Sequence, residues 1–123
     1  MNAADRAALR PPLVALARRA AETIMAIYSG EFAVRTKSDR TPLTEADERS
    51  EAVIAAGLAD LTPGVPVVGE EMQGRGEIDW PQPSPRCFWL VDPLDGTREF
   101  VERSGQFAIN IGLVVDGRPA LGV

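Results

Sequence analysis

A chain of 123 residues is one domain's worth, well short of the roughly 250 at which a single core begins to split. With 45% apolar and 25% charged residues it has the make-up of ordinary globular chains, which excludes the disordered and fibrous classes. Thirteen Lys and Arg against 18 Asp and Glu give a formal charge of −5, which argues against loose binding to nucleic acid or anionic lipid. The absence of histidine removes Ser-His-Asp triads, Cys-His pairs and His-ligated zinc, and leaves carboxylates as the chemical tools.

No apolar run approaches the roughly 18 residues of a membrane helix, and the N-terminus lacks the basic-then-apolar order of a signal peptide. A cytoplasmic protein without membrane insertion is expected. The single cysteine, Cys87, sits in an apolar run where it packs as a small hydrophobe, and it excludes an intrachain disulfide.

Leu13, Leu16, Ala20, Ile24 and Ile27 recur at steps of three and four, which predicts an amphipathic helix from Pro11 to Tyr28. Pro11-Pro12 suits its first turn and Gly30 its C-terminal cap, with residues 3–10 as a separate short helix. Phe32, Val34 and Thr36 alternate with polar or small residues, the period of a short strand, until Ser38 to Pro42 breaks it into a loop.

A second helix is predicted from Glu45 to Asp60, opened by a capping box over Thr44 to Asp47 and ended by Thr62-Pro63-Gly64. Val65, Val67 and Val68 read as a brief strand leading into Gly69-Glu70-Glu71, and the Gly- and Pro-rich stretch from Gly74 to Pro85 as a surface loop. Cys87 to Val91 is apolar throughout, as a strand buried on both faces is, and it is expected to stop at Asp92.

Asp92 to Thr97 then reads as a turn, with one or two helical turns after Thr97. Phe107, Ile109 and Ile111 alternate along a further strand that reaches Asp116-Gly117, a hairpin signal, and the returning arm is Pro119 to Val123. Because that arm ends in mid-strand, the 123 residues are expected to form one domain that is the front part of something longer.

Three carboxylates stand at strand ends: Glu70 after one strand, and Asp92 and Asp95 after another. Loops at the C-terminal ends of neighbouring strands line the ligand crevice of an open sheet, so the three can meet there. Clustered anions repel unless a cation joins them, and carboxylates without His or Cys favour Mg2+ or Mn2+. Two such ions about 4 Å apart are the usual equipment for phosphoryl hydrolysis.

Gly96 lets a phosphate approach the backbone, and amides near Thr97 point at the anion. Taken alone, the Asp-Gly-Pro composition of this segment also fits an ordinary turn. Asp47 also has a capping role with Thr44, and the two roles can coexist. Lys37 and Asp39 read first as solvated loop charges.

Rival phosphatase chemistries fail on spacing. A Cys-x5-Arg loop from Cys87 needs Arg where Pro93 stands, an aspartyl nucleophile needs aspartates two apart where Asp92 and Asp95 are three apart, and no GxxxxGK[ST] loop occurs. Attack by water aided by metal remains.

The motifs Lys37-Ser38-Asp39-Arg40-Thr41-Pro42-Leu43-Thr44-Glu45-Ala46-Asp47, Gly69-Glu70-Glu71 and Trp89-Leu90-Val91-Asp92-Pro93-Leu94-Asp95-Gly96-Thr97 occur in that order. Together they resemble the inositol monophosphatase superfamily of magnesium-dependent phosphatases. Arg98-Glu99-Phe100, Asn110-Ile111-Gly112-Leu113 and Gly117-Arg118-Pro119 look most like its CysQ-type 3'(2'),5'-bisphosphate nucleotidase branch. The resemblance implies an α/β (α+β layered) fold, the N-terminal part of an αβαβα sandwich with N-terminal helices on a mainly antiparallel sheet.

It also implies two or three Mg2+ ions, with Mn2+ as a substitute, held by Glu70, Asp92, the Leu94 carbonyl and Asp95. Asp47, Thr97 and Glu70 would handle the attacking water, and Gly96, Thr97 and Leu94 the substrate. The implied substrate is a small phosphate ester, adenosine 3',5'-bisphosphate, cleaved to AMP in sulfur metabolism without nucleic acid as a partner; a homodimer is compatible with this. Inositol monophosphatase or fructose-1,6-bisphosphatase activity are alternatives within the superfamily. A further alternative is a catalytically incomplete metal-binding fragment, because the family's later W-D-x-A aspartate does not occur in these residues.

Overall fold

The computed structural model describes residues 2–28, 34–36, 42–69, 85–95 and 108–123, with the backbone alone described at Tyr28, 34–36, 42–44 and 94–95. The first helix, α1, runs without a break over Ala3–Tyr28 with both prolines inside it. This corrects the expectation of a short helix followed by a second one starting at Pro11. The reason is a cap that lies before the prolines: the Asp5 amide donates to Asn2 Oδ1 at 2.8 Å and the Asn2 amide to Asp5 Oδ2 at 3.1 Å. That reciprocal pair satisfies orphan donors and starts the helix at Ala3.

Pro11 and Pro12 deprive the Ala7 and Ala8 carbonyls of donors. Ala7, Ala8 and Pro11 are exposed, so water can take those bonds. The predicted apolar stripe is buried as expected, with Leu13, Leu16, Ala20 and Ile24 at 0% exposure. Gly30, proposed as its cap, lies outside the described residues.

Two three-residue strands follow, β1 (Val34–Thr36) and β2 (Pro42–Thr44), paired antiparallel with Val34 opposite Thr44 and Thr36 opposite Pro42. The second was not expected, since Pro42 had been assigned to a loop. A proline at the first position of a short edge strand leaves the ladder intact, which reconciles the residue with the strand.

The second helix, α2 (Glu45–Leu61), matches its predicted range within one residue. Glu45, Asp47 and Glu48 in its first turn complement the helix dipole. It closes where the Thr62 amide donates to the Leu58 carbonyl at 2.9 Å, and Gly64, at φ 83°, turns the chain away.

A four-stranded sheet completes the described fold, in the order β3 (Val67–Gly69), β4 (Cys87–Asp95), β5 (Ala108–Val115), β6 (Arg118–Gly122). The β3–β4 pair is parallel and the other two pairs are antiparallel. This is the mixed, mainly antiparallel sheet with two helices that was expected. The hairpin turn also forms as read, with Asp116 at φ 51° and Gly117 at φ 76°, the paired left-handed conformations of a type I′ turn. Beyond β6, Val123 exchanges both backbone bonds with Ile111, at 2.8 and 2.9 Å.

The sheet differs from expectation along β4. The strand does not stop at Asp92 but continues to Asp95, with a register shift against β5 between Asp92 and Asp95. The predicted turn over these residues is therefore the irregular end of a strand. Pro93 has no N–H to give the ladder, and a bulge is where such a residue fits.

Nor is β4 buried on both faces: Trp89 is at 0% and Val91 at 4% exposure, while Leu90 between them is at 46%. The helices cover one face only, where Leu13, Leu16, Ile54, Leu58, Trp89, Val91, Ile111 and Leu113 form the core. The Trp89 indole N–H donates to Thr62 Oγ1 at 2.9 Å, so the one polar atom of this ring is satisfied in that core. Among the described residues, no helix is long and apolar enough to cross a membrane.

Candidate carboxylate site at the strand ends

Parallel pairing places Val67, Val68 and Gly69 opposite Trp89, Leu90 and Val91. The β3 and β4 chains therefore reach the same level together, and Asp92 follows Val91 directly, as Glu70 follows Gly69 in the sequence. This is the geometry that lets neighbouring parallel strands present residues to one crevice.

An open hollow of about 410 Å3 lies there, lined by Val68, Gly69, Leu90, Val91, Asp92, Asn110 and Gly112. Its size falls within the range of small-molecule sites. The walls are largely apolar, with Asp92 and Asn110 as the polar groups. Asn110 stands directly opposite Asp92 in the β4–β5 register.

Asp92 Oδ1 is buried and accepts no hydrogen bond among the described residues. A buried carboxylate oxygen without a donor is costly, and such atoms are uncommon in folded proteins unless a water, an ion or a functional role accounts for them. A hard divalent cation is the ligand that fits such an oxygen. The donor types at this end of the sheet, carboxylates and carbonyls without His, suit the same ions.

The N-terminal half of α2 lies against this segment. Asp47 is 2% exposed and Ser50 0% exposed. Ser50 Oγ donates to the Ala46 carbonyl at 2.6 Å and lies 3.2 Å from the Asp47 carbonyl and 3.4 Å from that of Pro93. One hydroxyl thus sits between the helix turn that carries Asp47 and the strand segment that follows Asp92. Burial of Asp47 to this degree exceeds what a capping role at an exposed helix end requires, which keeps its site role open.

The structure therefore brings together the end of β3, Asp92 and the Asp47 turn. Glu70, Gly96, Thr97, Lys37 and Asp39 lie outside the described residues. Leu94 and Asp95 are described by backbone, within β4, with Asp95 paired to Ala108. Among the described residues no three Cys, Asp or Glu side chains gather as a metal cage, and Asp92 is the expected metal ligand whose side chain is described there.

Sequence reasoning missed three residues. Ser50 and Glu51 fall on the Asp47 face of α2, and their spacing of three and four from Asp47 was the available signal. Asn110 stood in the sequence only as part of the Asn110-Ile111-Gly112-Leu113 motif, and the strand register is what puts it beside Asp92.

The chain belongs to the inositol monophosphatase family, which its residues 5–123 match. It is similar to the 3'(2'),5'-bisphosphate nucleotidase CysQ of Escherichia coli K12, being 46% identical over 112 residues that cover 88% of this chain and 44% of that protein. It thus spans less than half the length of that curated relative. Among solved structures, CysQ from Bacteroides thetaiotaomicron superposes with a TM-score of 0.65 at 37% identity, covering 85% of this chain and 36% of that one. The extragenic suppressor protein suhB from Bartonella henselae superposes with a TM-score of 0.78 at 26% identity, covering 94% and 44%.

Proposed function

We propose that the protein acts as a divalent-metal-dependent phosphomonoesterase that converts adenosine 3',5'-bisphosphate to AMP and phosphate in the cytoplasm. The observation that carries this reading is the buried Oδ1 of Asp92, without a hydrogen-bond partner among the described residues, at the level where the parallel β3–β4 pair ends. The likeness to CysQ nucleotidases supports the choice of substrate.

In this reading Glu70, Asp92, the Leu94 carbonyl and Asp95 hold two or three Mg2+ ions, or Mn2+ in their place. Bound there, a divalent cation neutralises phosphate charge and lowers the pKa of water. Asp47 and Thr97 orient the attacking water and Glu70 accepts its proton. The amides of Gly96 and Thr97 hold the phosphate, and the open hollow beside Asp92 receives the rest of the ester.

Hydrolysis of phosphate monoesters is among the slowest uncatalysed reactions. Alignment and charge stabilisation together must supply on the order of 20 kcal/mol. This reading assigns no residue as a covalent nucleophile, so a single displacement with inversion at phosphorus is expected, and chiral-phosphate analysis showing retention would contradict it.

The deciding assay is phosphate release from adenosine 3',5'-bisphosphate, inositol monophosphate and fructose 1,6-bisphosphate, with and without Mg2+. Faster, Mg2+-dependent release from the nucleotide supports the proposal, and preference for either sugar phosphate reassigns the substrate. A second reading is metal binding by these residues without turnover. Retained Mn2+ binding with no phosphate release from any of the three esters identifies it.

A further inference from the structure

Gly69 ends β3, and a Cβ added to it would overlap Glu51 Oε1 and stand 2.5 Å from Cδ and 3.1 Å from Cγ of the same side chain. The Glu51 carboxylate thus lies directly against the Gly69 α-carbon. An exposed glutamate would swing away from such an intrusion at little cost. Glu51 is 3% exposed, so its carboxylate moves only by displacing packed neighbours.

The two residues come from different elements. Glu51 is on α2, one helical turn beyond Asp47, and Gly69 is the last residue of β3, opposite Val91 and immediately before Glu70. One residue earlier on the same helix, Ser50 Oγ lies 3.4 Å from the Pro93 carbonyl in β4. Two consecutive buried side chains of α2 therefore touch the ends of the two parallel strands, one each.

We propose that Glu51 is a positioning residue: its packing against Gly69 sets where the chain leaves β3 relative to Asp92, and so the distance across which the strand-end carboxylates share a cation. The contact requires glycine at 69 because any side chain there would push the β3 end away from α2. It acts through the reach of the side chain at 51 to Gly69, so the length of that side chain is what the test varies first. The inference rests on the reading of Asp92 as a metal ligand.

The test is a double-mutant cycle in Mn2+ affinity, read by calorimetry or by the spin resonance of free Mn2+, with Glu51→Gln and Asp92→Asn as companions. Gly69→Ala alone is expected to weaken Mn2+ binding about 10- to 100-fold, the range for groups that orient ligands from behind. In the Glu51→Ala background, where the space is open, the same change is expected to cost less than about threefold. Glu51→Gln, which keeps the shape, stays within about threefold of the parent.

Additive losses in the cycle overturn the proposal, and so does a tenfold or greater loss in Glu51→Gln, which would make Glu51 a ligand. If Gly69→Ala unfolds the protein, the same cycle in melting temperature decides: recovery in the double variant supports the contact and additivity refutes it. If Asp92→Asn leaves Mn2+ affinity unchanged, the metal-site reading itself has failed. Loss of binding in Asp92→Asn with an additive Glu51–Gly69 cycle removes only the positioning role.

Discussion

The two ends of α2 face opposite kinds of surroundings. Towards its C-terminus, Ile54 and Leu58 pack with Leu13, Leu16, Trp89 and Leu113 in a core whose main polar atom, the Trp89 indole N–H, is hydrogen-bonded. Towards its N-terminus the buried polar side chains are Asp47, Ser50 and Glu51, and the neighbouring strand carries an Asp92 oxygen with no donor among the described residues. One helix thus anchors the fold at one end and borders a carboxylate-rich end of the sheet at the other. Apolar burial stabilises the first region, whereas the second holds an Asp92 oxygen whose burial a bound cation would offset.

Substitutions can break this contrast from either side. The largest effect is expected at Asp92. Asp92→Asn should lower Mg2+-dependent phosphate release by at least about a hundredfold, the scale for loss of one group that stabilises transition-state charge. The same variant should melt no lower than the parent in metal-free buffer, because Asp92 Oδ1 accepts no hydrogen bond among the described residues. A large drop in metal-free melting temperature would show that Asp92 belongs to the structural region instead.

In the apolar region the order is reversed, with stability lost first. Trp89→Ala removes a fully buried ring and its bond to Thr62, and about 3–5 kcal/mol of unfolding free energy should disappear in a denaturant titration. Gly57→Ala comes next. Its new Cβ would overlap Leu16 Cδ1 and stand 2.8 Å from Cδ2, on a side chain with 0% exposure. Overpacking costs about 1–3 kcal/mol and the better helix propensity of alanine returns about 1, so a net loss near 1 kcal/mol is expected by the same titration.

The smallest effect is expected at the hairpin, remote from both regions. Arg86 Nε and Nη2 meet Asp116 Oδ1 and Oδ2 at 2.7 and 3.2 Å. The hydrogen bond from Arg86 holds the Asp116 carboxyl below its ordinary value of 3.8. A carboxylate lowered in the folded state adds stability above its ordinary pKa and loses it as pH falls through the lower, folded value. Asp116→Asn tolerates the left-handed backbone, so thermal melts should show a slight deficit at neutral pH that closes as the pH drops below about 4. Because the pair is solvent-exposed, that deficit should also shrink with added salt.

Much of the helical layer was legible in the sequence. The spacing of Leu13, Leu16, Ala20 and Ile24, and of Ile54 and Leu58, named the buried faces, and Asp116-Gly117 named the hairpin. The errors arose where a local signal was outweighed by a partner. Pro11-Pro12 looked like a boundary, but the cap at Asn2 and Asp5 started the helix earlier. Pro42 and Pro93 looked like breakers, yet each lies in a strand, one at an edge and one at a bulge. Cys87 to Val91 looked buried on both faces because apolar composition does not reveal whether a second layer covers Leu90.

Of the candidate site, the sequence supplied the carboxylates and their order, and the resemblance supplied their roles. Composition and periodicity by themselves determined the helical stripes and the hairpin, since each of these is written in residues close together along the chain, and the ordered motifs carried the family resemblance. Only the tertiary structure decided that β3 and β4 run parallel with Gly69 opposite Val91, that Asn110 faces Asp92, and that Glu51 lies against Gly69. Those relations join residues far apart in sequence, and they are set by how the helices and strands share one core.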